Sequence, residues 1–148
     1  RTANNNTDHS KEQIKKDLIE IRSQKNINTV FVSENVLTLV KRKNAEKKIG
    51  KQDFIYATGL IDYMNDRLSS KVVEILFPLL NEKGKLIVGN VSKGNELKAY
   101  TEMLGEWYIN YRDKNDMLNL AKRVPNPNRI DVEHEKETKM NVFLIIEK

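Results

Sequence analysis

The sequence has no cysteine, only three prolines and six glycines, and 7% aromatic residues. The absence of cysteine excludes disulfide bonds, thiolate metal sites and cysteine nucleophiles, and it fits a reducing cytoplasm. No segment approaches the roughly 18 consecutive apolar residues that a membrane-spanning helix needs. The N-terminus is polar and rich in asparagine, which is not the pattern of a signal peptide. We therefore expect a cytoplasmic protein that does not enter a membrane.

The composition favours one globular domain with a thin core. The chain has 148 residues, of which 39% are hydrophobic and 32% are charged, and its net charge is +5. The basic excess suggests an anionic partner, but the lysines are scattered among acidic residues instead of clustering on one predicted element. A dispersed excess is more typical of a solvated surface than of a nucleic-acid interface. Nucleic-acid binding is therefore the less favoured interpretation.

A strand, a helix and a second strand form the central unit of the predicted fold. The unit begins at Asp53, residues 54–57 are apolar on both sides of the pleat, as in a buried parallel strand, and an amphipathic helix follows and extends to Leu80. Pro78 should hasten the end of this helix, and residues 81–84 predict a turn before the next buried strand at residues 86–88. The order predicts a βαβ unit of a parallel sheet.

The residues before this unit supply a lead-in, a helix and a strand. Residues 1–7 have no apolar periodicity and predict a flexible lead-in. A capping-box spacing from Ser10 begins a helix that runs through Arg22, and residues 27–33 read as a strand. Residues 36–40 fit a short helix or a strand extension, and residues 41–51 form a charged connector.

The residues after the central unit predict a loop, two helices and a terminal hairpin. The segment around Trp107 alternates apolar and polar side chains, as in a half-buried strand or an extended segment. The predicted pieces are the loop 89–95, the helix 96–104, the segment 107–111, the helix 114–122 capped by Asp113, the turn 125–128 and the hairpin strands 130–132 and 140–146.

Four ordered segments resemble those of one family. They are residues 53–63 followed by Asp66-Arg67, residues 84–90, Trp107 followed by Tyr111-Arg112-Asp113, and residues 140–144. They resemble the later strands of class I S-adenosylmethionine-dependent methyltransferases. The similar subgroup is bacterial, is often fused behind cyclic-nucleotide-binding or other regulatory domains, and includes enzymes of methyl esterification of 3-hydroxy fatty acids.

The resemblance implies an α/β fold: a partial Rossmann-like methyltransferase sheet with parallel strands alternating with helices and a C-terminal antiparallel hairpin. The family has a glycine-rich loop after its first strand, and this sequence has none near its N-terminus. Residues 8–148 are therefore expected to be the C-terminal part of one methyltransferase domain that lacks its first βα unit. Such a part would leave a sheet edge open, which predicts self-association or a complementary segment. The resemblance further implies an upstream regulatory domain.

S-adenosylmethionine is the cofactor that the resemblance implies. Asp8 matches the acid that binds the ribose hydroxyls, although it can equally cap the first helix. Asn35, with Val36 beside it, matches the position that contacts adenine, or it is an ordinary loop asparagine. Thr58 and Gly59 follow the strand where the family holds the methionine part, or Gly59 serves only the backbone turn.

The predicted acceptor is a small-molecule carboxylate or a similar group. The candidate acceptor ligands are Asp62, Tyr63, Asn90, Trp107, Tyr111 and Arg112. A guanidinium holds a carboxylate in a bidentate manner, and aromatic side chains exclude water from a methyl-transfer site. The alternatives are a helix cap for Asp62, a core position for Tyr63 or Trp107, and a surface ion pair between Arg112 and Asp113.

No catalytic base and no metal site are predicted. A carboxylate acceptor is already nucleophilic, so catalysis would be mainly the positioning of two reactants. The only histidines, His9 and His134, lie in polar surroundings and do not converge with other ligands. Methyl transfer is the first hypothesis. A degenerate, non-catalytic α/β interaction or regulatory module is the second, because the glycine-rich loop is missing.

Overall fold

The computed structural model describes Lys16 and residues 45–148, and the latter belong to one compact unit of the chain. Within residues 45–148 there are eight regular elements and two short 3-10 helices, at Ile61–Tyr63 and Phe77–Leu79. The regular elements are α1 (Ala45–Ile49), β1 (Gln52–Ala57), α2 (Asp66–Leu76), β2 (Leu80–Val91), α3 (Lys98–Gly105), α4 (Lys114–Leu120), β3 (Arg129–His134) and β4 (Asn141–Glu147).

The four strands form one sheet in the order β1-β2-β4-β3. β1 and β2 pair in parallel, as a βαβ unit requires, and α2 is the connecting helix. β4 lies antiparallel to both of its neighbours, β2 and β3. The predicted α/β class, the parallel pair and the C-terminal antiparallel hairpin are therefore confirmed.

The core lies between α2, α4 and one face of the sheet. Every second residue of β2 and β4 points to this face, because side chains alternate along a strand. α2 contributes Val72 and Val73, and α4 contributes Met117 and Leu120, all fully or almost fully buried. The strands supply Leu86, Val88, Val132, Val142, Leu144 and Ile146.

The other face of the sheet is less well covered. Phe54 and Tyr56 stack on β1 with their ring centroids 6.3 Å apart, and both side chains are more than half exposed. The prediction that this strand is buried on both sides is therefore wrong. Phe54 and Tyr56 face away from the core formed with α2 and α4, and apolar sequence alone does not reveal which face of a strand is covered.

β2 is longer than the sequence indicates. The predicted turn at residues 81–84 lies within this strand, and the predicted loop at residues 89–95 begins only after Val91. The register with β1 shifts between Gln52 and Phe54, and Lys83 has a positive φ of 65°. A bulge of this kind absorbs extra residues without ending the strand. The turn-like residues therefore mark an irregular strand.

Two further helix boundaries differ from the sequence prediction. α1 occupies part of the predicted connector, and Gly50 ends it with a φ of 77° and an N–H bond of 2.7 Å to the Glu46 carbonyl. α2 ends at Leu76, four residues before the predicted Leu80. Pro78 lacks an N–H and lies in the 3-10 helix that follows, which gives the early end its physical reason.

The segment between α3 and α4 is extended and joins the sheet at one point. Residues 107–111 form no regular strand, and Arg112 makes an isolated parallel bridge with Ser92. The Asn110 N–H donates to the Asp62 carbonyl at 2.7 Å. The two helices on either side agree with the prediction to within two residues at each end, and Asp113 caps α4 in a capping box with Asp116.

Candidate functional site

The carboxyl ends of the two parallel strands lie side by side at an open cleft. Tyr56 and Ala57 of β1 pair with Ile87 and Val88 of β2, so the residues that follow each strand end meet at one edge of the sheet. Ligands of open parallel sheets bind at this edge. The cleft has a volume of about 220 Å³ and is lined by Tyr56, Thr58, Gly59, Asp62, Gly89, Asn90, Asn141 and Phe143.

Four of the predicted site residues meet in this cleft. Thr58 and Gly59 were predicted for the cofactor, and Asp62 and Asn90 for the acceptor. Gly59 has a φ of 65°, a conformation that favours glycine, and open space lies where its Cβ would be. Gly59 thus allows the backbone turn after β1, and the absence of a side chain leaves the adjoining part of the cleft open.

Gly89 allows the floor of the cleft to close. A Cβ on Gly89 would lie 2.5 Å from Thr58 Cγ2 and 3.0 Å from Phe143 Cε1. The Thr58 methyl group would have to move away, and the Phe143 ring would have to shift slightly. Phe143 is the antiparallel partner of Gly89 across the β2–β4 pair. Sequence reasoning placed Gly89 at this strand end but missed Asn141 and Phe143 as site residues, because only the insertion of β4 beside β2 brings them to the cleft. The hairpin pattern did not show where β4 would insert.

Asp62 is a buried carboxylate at the cleft. Its side chain is 3% exposed, and Oδ1 accepts the Val91 N–H at 2.9 Å. Burial raises the pKa of the Asp62 carboxyl, while the Val91 N–H and the positive charge of Arg112 oppose the rise. The predicted alternative, a helix cap, does not apply to α2, because Asn65 is its N-cap residue and accepts the Leu68 N–H.

Asn90 is held by bonds within the protein. Its Nδ2 donates to the carbonyls of Val91 and Asn110, at 2.9 and 2.7 Å. Its Oδ1 accepts from Arg112 Nη1 at 2.6 Å. Both amide hydrogens and one lone pair are therefore used, so Asn90 forms part of the wall with little capacity left for a ligand.

Arg112 is the most completely bonded polar side chain near the cleft. It is 1% exposed, and all five of its N–H donors can be assigned to acceptors of this chain. The acceptors, at 2.6–3.1 Å, are Asp66 Oδ1, the Ile61 carbonyl, Asn90 Oδ1, the Met64 carbonyl and Ser69 Oγ. A substrate carboxylate would have to displace one of these acceptors to reach the guanidinium.

The alternative of a surface ion pair between Arg112 and Asp113 is corrected by the same geometry. Arg112 is buried and pairs with Asp66, with Nη2 3.0 Å from Oδ1. Asp113 instead caps α4 and pairs with Lys93 at 3.2 Å. Side chains of adjacent residues in extended backbone point to opposite sides, which separates these two charges.

The predicted aromatic cluster divides into two places. Trp107 Nε1 donates to the Tyr63 hydroxyl at 2.8 Å, and both side chains are exposed, by 42% and 62%. Neither residue is therefore a core residue, which had been the alternative. Tyr111 lies apart from this pair, with Lys98 Nζ 4.7 Å from the centre of its ring. Its hydroxyl oxygen is buried and finds no hydrogen-bond partner among the residues that the structure describes.

Three predicted cofactor residues, Asp8, Asn35 and Val36, lie outside the described residues. His9 lies outside them too, whereas His134 ends β3. In the part of the chain that the structure describes, no three His, Cys, Asp or Glu side chains converge as a metal site would need. Of the helices formed by the described residues, none has the length and apolar character that crossing a membrane requires.

Comparison with known proteins finds similarity at the level of fold. No protein-family profile matches the sequence, and no curated protein is significantly similar to it. Among solved structures, magnesium protoporphyrin IX methyltransferase from Synechocystis PCC 6803, with bound SAH, aligns with a TM-score of 0.52 at 14% identity. The alignment covers 80% of this chain and 51% of that one.

Two further structures align with the same TM-score of 0.52, each at 12% identity. One is an O-methyltransferase family protein from Burkholderia thailandensis, and the alignment covers 80% of this chain and 35% of that protein. The other is a possible exported protein from Bordetella parapertussis, and the alignment covers 66% of this chain and 39% of that protein. The chain thus spans about half or less of the length of these proteins. At these identities the similarity shows the fold alone, a mixed α/β fold that this chain shares with two methyltransferases and a possible exported protein.

Proposed function

We propose that this chain forms part of an S-adenosylmethionine-dependent methyltransferase and that its cleft holds part of the cofactor. The observation that carries the proposal is the open, largely polar cleft at the carboxyl ends of two parallel strands, in a sheet with a methyltransferase-like fold. Open α/β sheets bind their ligands at this position.

The residues of the cleft fit the methionine end of the cofactor. Thr58 and Gly59 offer backbone at the strand end, and Gly59 leaves the space beside it open. A cleft of about 220 Å³ would hold only part of a molecule of this size. The sequence likewise predicts that this chain supplies only half of the pocket. When bound, the cofactor supplies an electrophilic methyl group on a sulfonium sulfur.

The protein's own contribution is a rigid wall. Arg112 joins the Ile61 and Met64 carbonyls, in the segment between β1 and α2, to the Asn90 side chain near the end of β2. Asp62 joins the same two segments through the Val91 N–H. Because these bonds fix the two strand ends relative to each other, the reacting groups can be held in line with little reorganisation.

The acceptor is a small molecule in this proposal, and the exposed Tyr63–Trp107 pair is its proposed neighbour. The two side chains are hydrogen-bonded to each other. Tyr63 directly follows Asp62 in the chain, and Trp107 lies in the segment between α3 and α4. Their exposed rings offer the apolar contact that excludes water from the reacting atoms. We further propose that the protein acts in the cytoplasm.

Equilibrium dialysis with S-adenosylmethionine and the full 148-residue chain tests this function. We expect saturable binding with a dissociation constant near 1 mM, or about −4 kcal/mol, because the described cleft contacts only part of the cofactor. Gly89→Ala should weaken binding, since the added methyl displaces Thr58 from the floor. Gly94→Ala is the matched control, because its Cβ would approach nothing closer than 3.6 Å. No saturable binding would favour a non-catalytic module.

A further inference from the structure

A second cleft, here called the arginine cleft, lies between the start of α2 and the end of α4. It has a volume of about 250 Å³ and is lined by Asp66, Arg67, Ser70, Asn119, Leu120 and Arg123. None of these residues lines the cleft at the ends of β1 and β2. The arginine cleft is therefore a separate place on the molecule, and the proposed methyl transfer gives it no role.

Two guanidinium groups distinguish this cleft. Arg67 belongs to the first turn of α2, and Arg123 follows shortly after the end of α4. Both residues are exposed, and in the part of the chain that the structure describes neither forms an ion pair with a carboxylate. Their N–H donors are therefore available to a molecule in the cleft. Because two like charges repel, an anion that contacts both groups would also reduce their repulsion.

The acidic residue of the arginine cleft is already paired with a guanidinium outside it. Asp66 Oδ1 accepts from Arg112 Nε at 3.0 Å and lies 3.0 Å from Arg112 Nη2. Arg112 is buried and does not line the cleft. With Arg67 and Arg123 included, three positive charges thus accompany the single negative charge of Asp66. The cleft has an excess of positive charge that an anionic ligand would balance.

The polar donors of the arginine cleft are carried by two helices that the core holds together. Ser70 lies one helical turn beyond Arg67 on α2, so its hydroxyl is on the same face of that helix. The Asn119 amide lies near the end of α4 and is a further donor. Leu120 also lines the cleft, is 1% exposed and belongs to the core between α2 and α4. The backbone positions around the cleft are therefore set before a ligand arrives.

We propose that the arginine cleft binds a phosphate group, free or esterified, and that Arg67 and Arg123 are its ligands. A phosphate group carries nearly two negative charges and three strong acceptor oxygens, so it can accept from both guanidinium groups at once. A carboxylate carries one charge and two oxygens, which a single guanidinium satisfies in a bidentate manner. The Ser70 hydroxyl and the Asn119 amide can donate to the remaining lone pairs of the phosphate. This site does not depend on the proposed methyl transfer.

NMR titration of the full chain tests the site with inorganic phosphate, phenyl phosphate and benzoate as probes. The chain is labelled with ¹⁵N, and the Nε–Hε signals of Arg67 and Arg123 report binding. We expect saturable shifts at both arginines, and phenyl phosphate should bind at least about fivefold more tightly than benzoate, which has the same ring but only one charge.

The two phosphate probes also distinguish the source of the group. Tighter binding of inorganic phosphate identifies free phosphate as the ligand, and tighter binding of phenyl phosphate identifies an ester. The proposal is overturned if neither phosphate probe causes saturable shifts at the two arginines. Benzoate that binds as tightly as the better phosphate probe would overturn it as well.

Charge-matched variants separate the arginine cleft from the basic surface as a whole. Arg67→Gln and Arg123→Gln each remove one guanidinium and should weaken phosphate binding at least about fivefold. Lys122→Gln removes the same charge from an exposed residue that does not line the cleft, and binding should stay within about twofold of wild type. All three residues are exposed, so each variant should fold.

Two outcomes of the variant series would overturn the proposal. Arginine variants that bind phosphate as wild type does would exclude Arg67 and Arg123 as ligands. Equal weakening by Lys122→Gln would show diffuse attraction to the basic surface. Binding of S-adenosylhomocysteine is measured separately, at the ends of β1 and β2, so the proposed function and the phosphate site can each fail alone.

Discussion

A guanidinium as deeply buried as that of Arg112 is stable only when its donors are paired. We expect Arg112→Met to lower the free energy of unfolding by about 3 kcal/mol or more, because several buried acceptors, each worth about 1–3 kcal/mol, lose their donors. Urea unfolding measures the change. Arg129→Met is the control, since Arg129 pairs with Asp131 on the exposed surface and should matter little. Equal losses in the two variants would contradict the framework role of Arg112.

Gly89 is a second position where the side chain matters for stability, because a Cβ there would lie 2.5 Å from the Thr58 methyl group. Gly89→Ala should cost about 1–3 kcal/mol of unfolding free energy, the usual penalty for overpacking. Thr58→Ser removes the methyl group that the new Cβ would meet at 2.5 Å, so the double variant should recover part of the loss. A double-mutant cycle measures the recovery. Strictly additive losses would show that the two positions do not touch.

Some of these residues could be read from the sequence and others could not. Thr58 and Gly59 follow a strand directly, so local pattern was enough to place them at the strand end. The framework role of Arg112 depends on acceptors 22 to 51 residues away in sequence, and no local pattern encodes such contacts. The same holds for Phe143, which reaches the cleft only through the pairing of β4 with β2.

At the scale of elements, the first turn of α4 predicts a pH dependence. The Asp116 N–H and the Lys93 ammonium hold the pKa of the Asp113 carboxyl below its usual value of about 3.9. A lowered pKa contributes stability above the unfolded pKa, and this contribution is lost as the pH falls through the folded pKa. Wild type should therefore exceed Asp113→Asn in stability at neutral pH, and the difference should shrink in acid. Urea unfolding at several pH values measures it, and a difference independent of pH would contradict the expectation.

The boundaries of elements were the least predictable feature of the fold. The sequence indicated the parallel pair, α2, α4 and the hairpin, because each carries a clear apolar period or cap. It failed at residues 81–84, where glycine and polar side chains favour a turn but a bulge keeps β2 continuous. Pairing with β1 on one side and β4 on the other decides that continuity, and such pairing is a property of the sheet as a whole.

At the scale of the whole molecule, the sequence predicts self-association, and the stacked Phe54 and Tyr56 offer an exposed apolar surface for a second copy of the chain. Among the described residues β1 has β2 as its one pairing partner. Sedimentation equilibrium should show concentration-dependent association that Phe54→Ser with Tyr56→Ser weakens. Tyr108→Ser changes an exposed aromatic residue elsewhere and is the control. A strict monomer at high concentration would contradict the prediction.

The ends of β1 and β2 are proposed to form part of a cofactor site, a claim that NMR mapping with S-adenosylhomocysteine can test. The full chain, labelled with ¹⁵N, is titrated with the ligand while every amide signal is followed. We expect saturable shifts concentrated at Thr58, Gly59, Asp62, Gly89 and Asn90, which line one cleft. Shifts that concentrate on another surface, or no shifts at millimolar ligand, would contradict the claim.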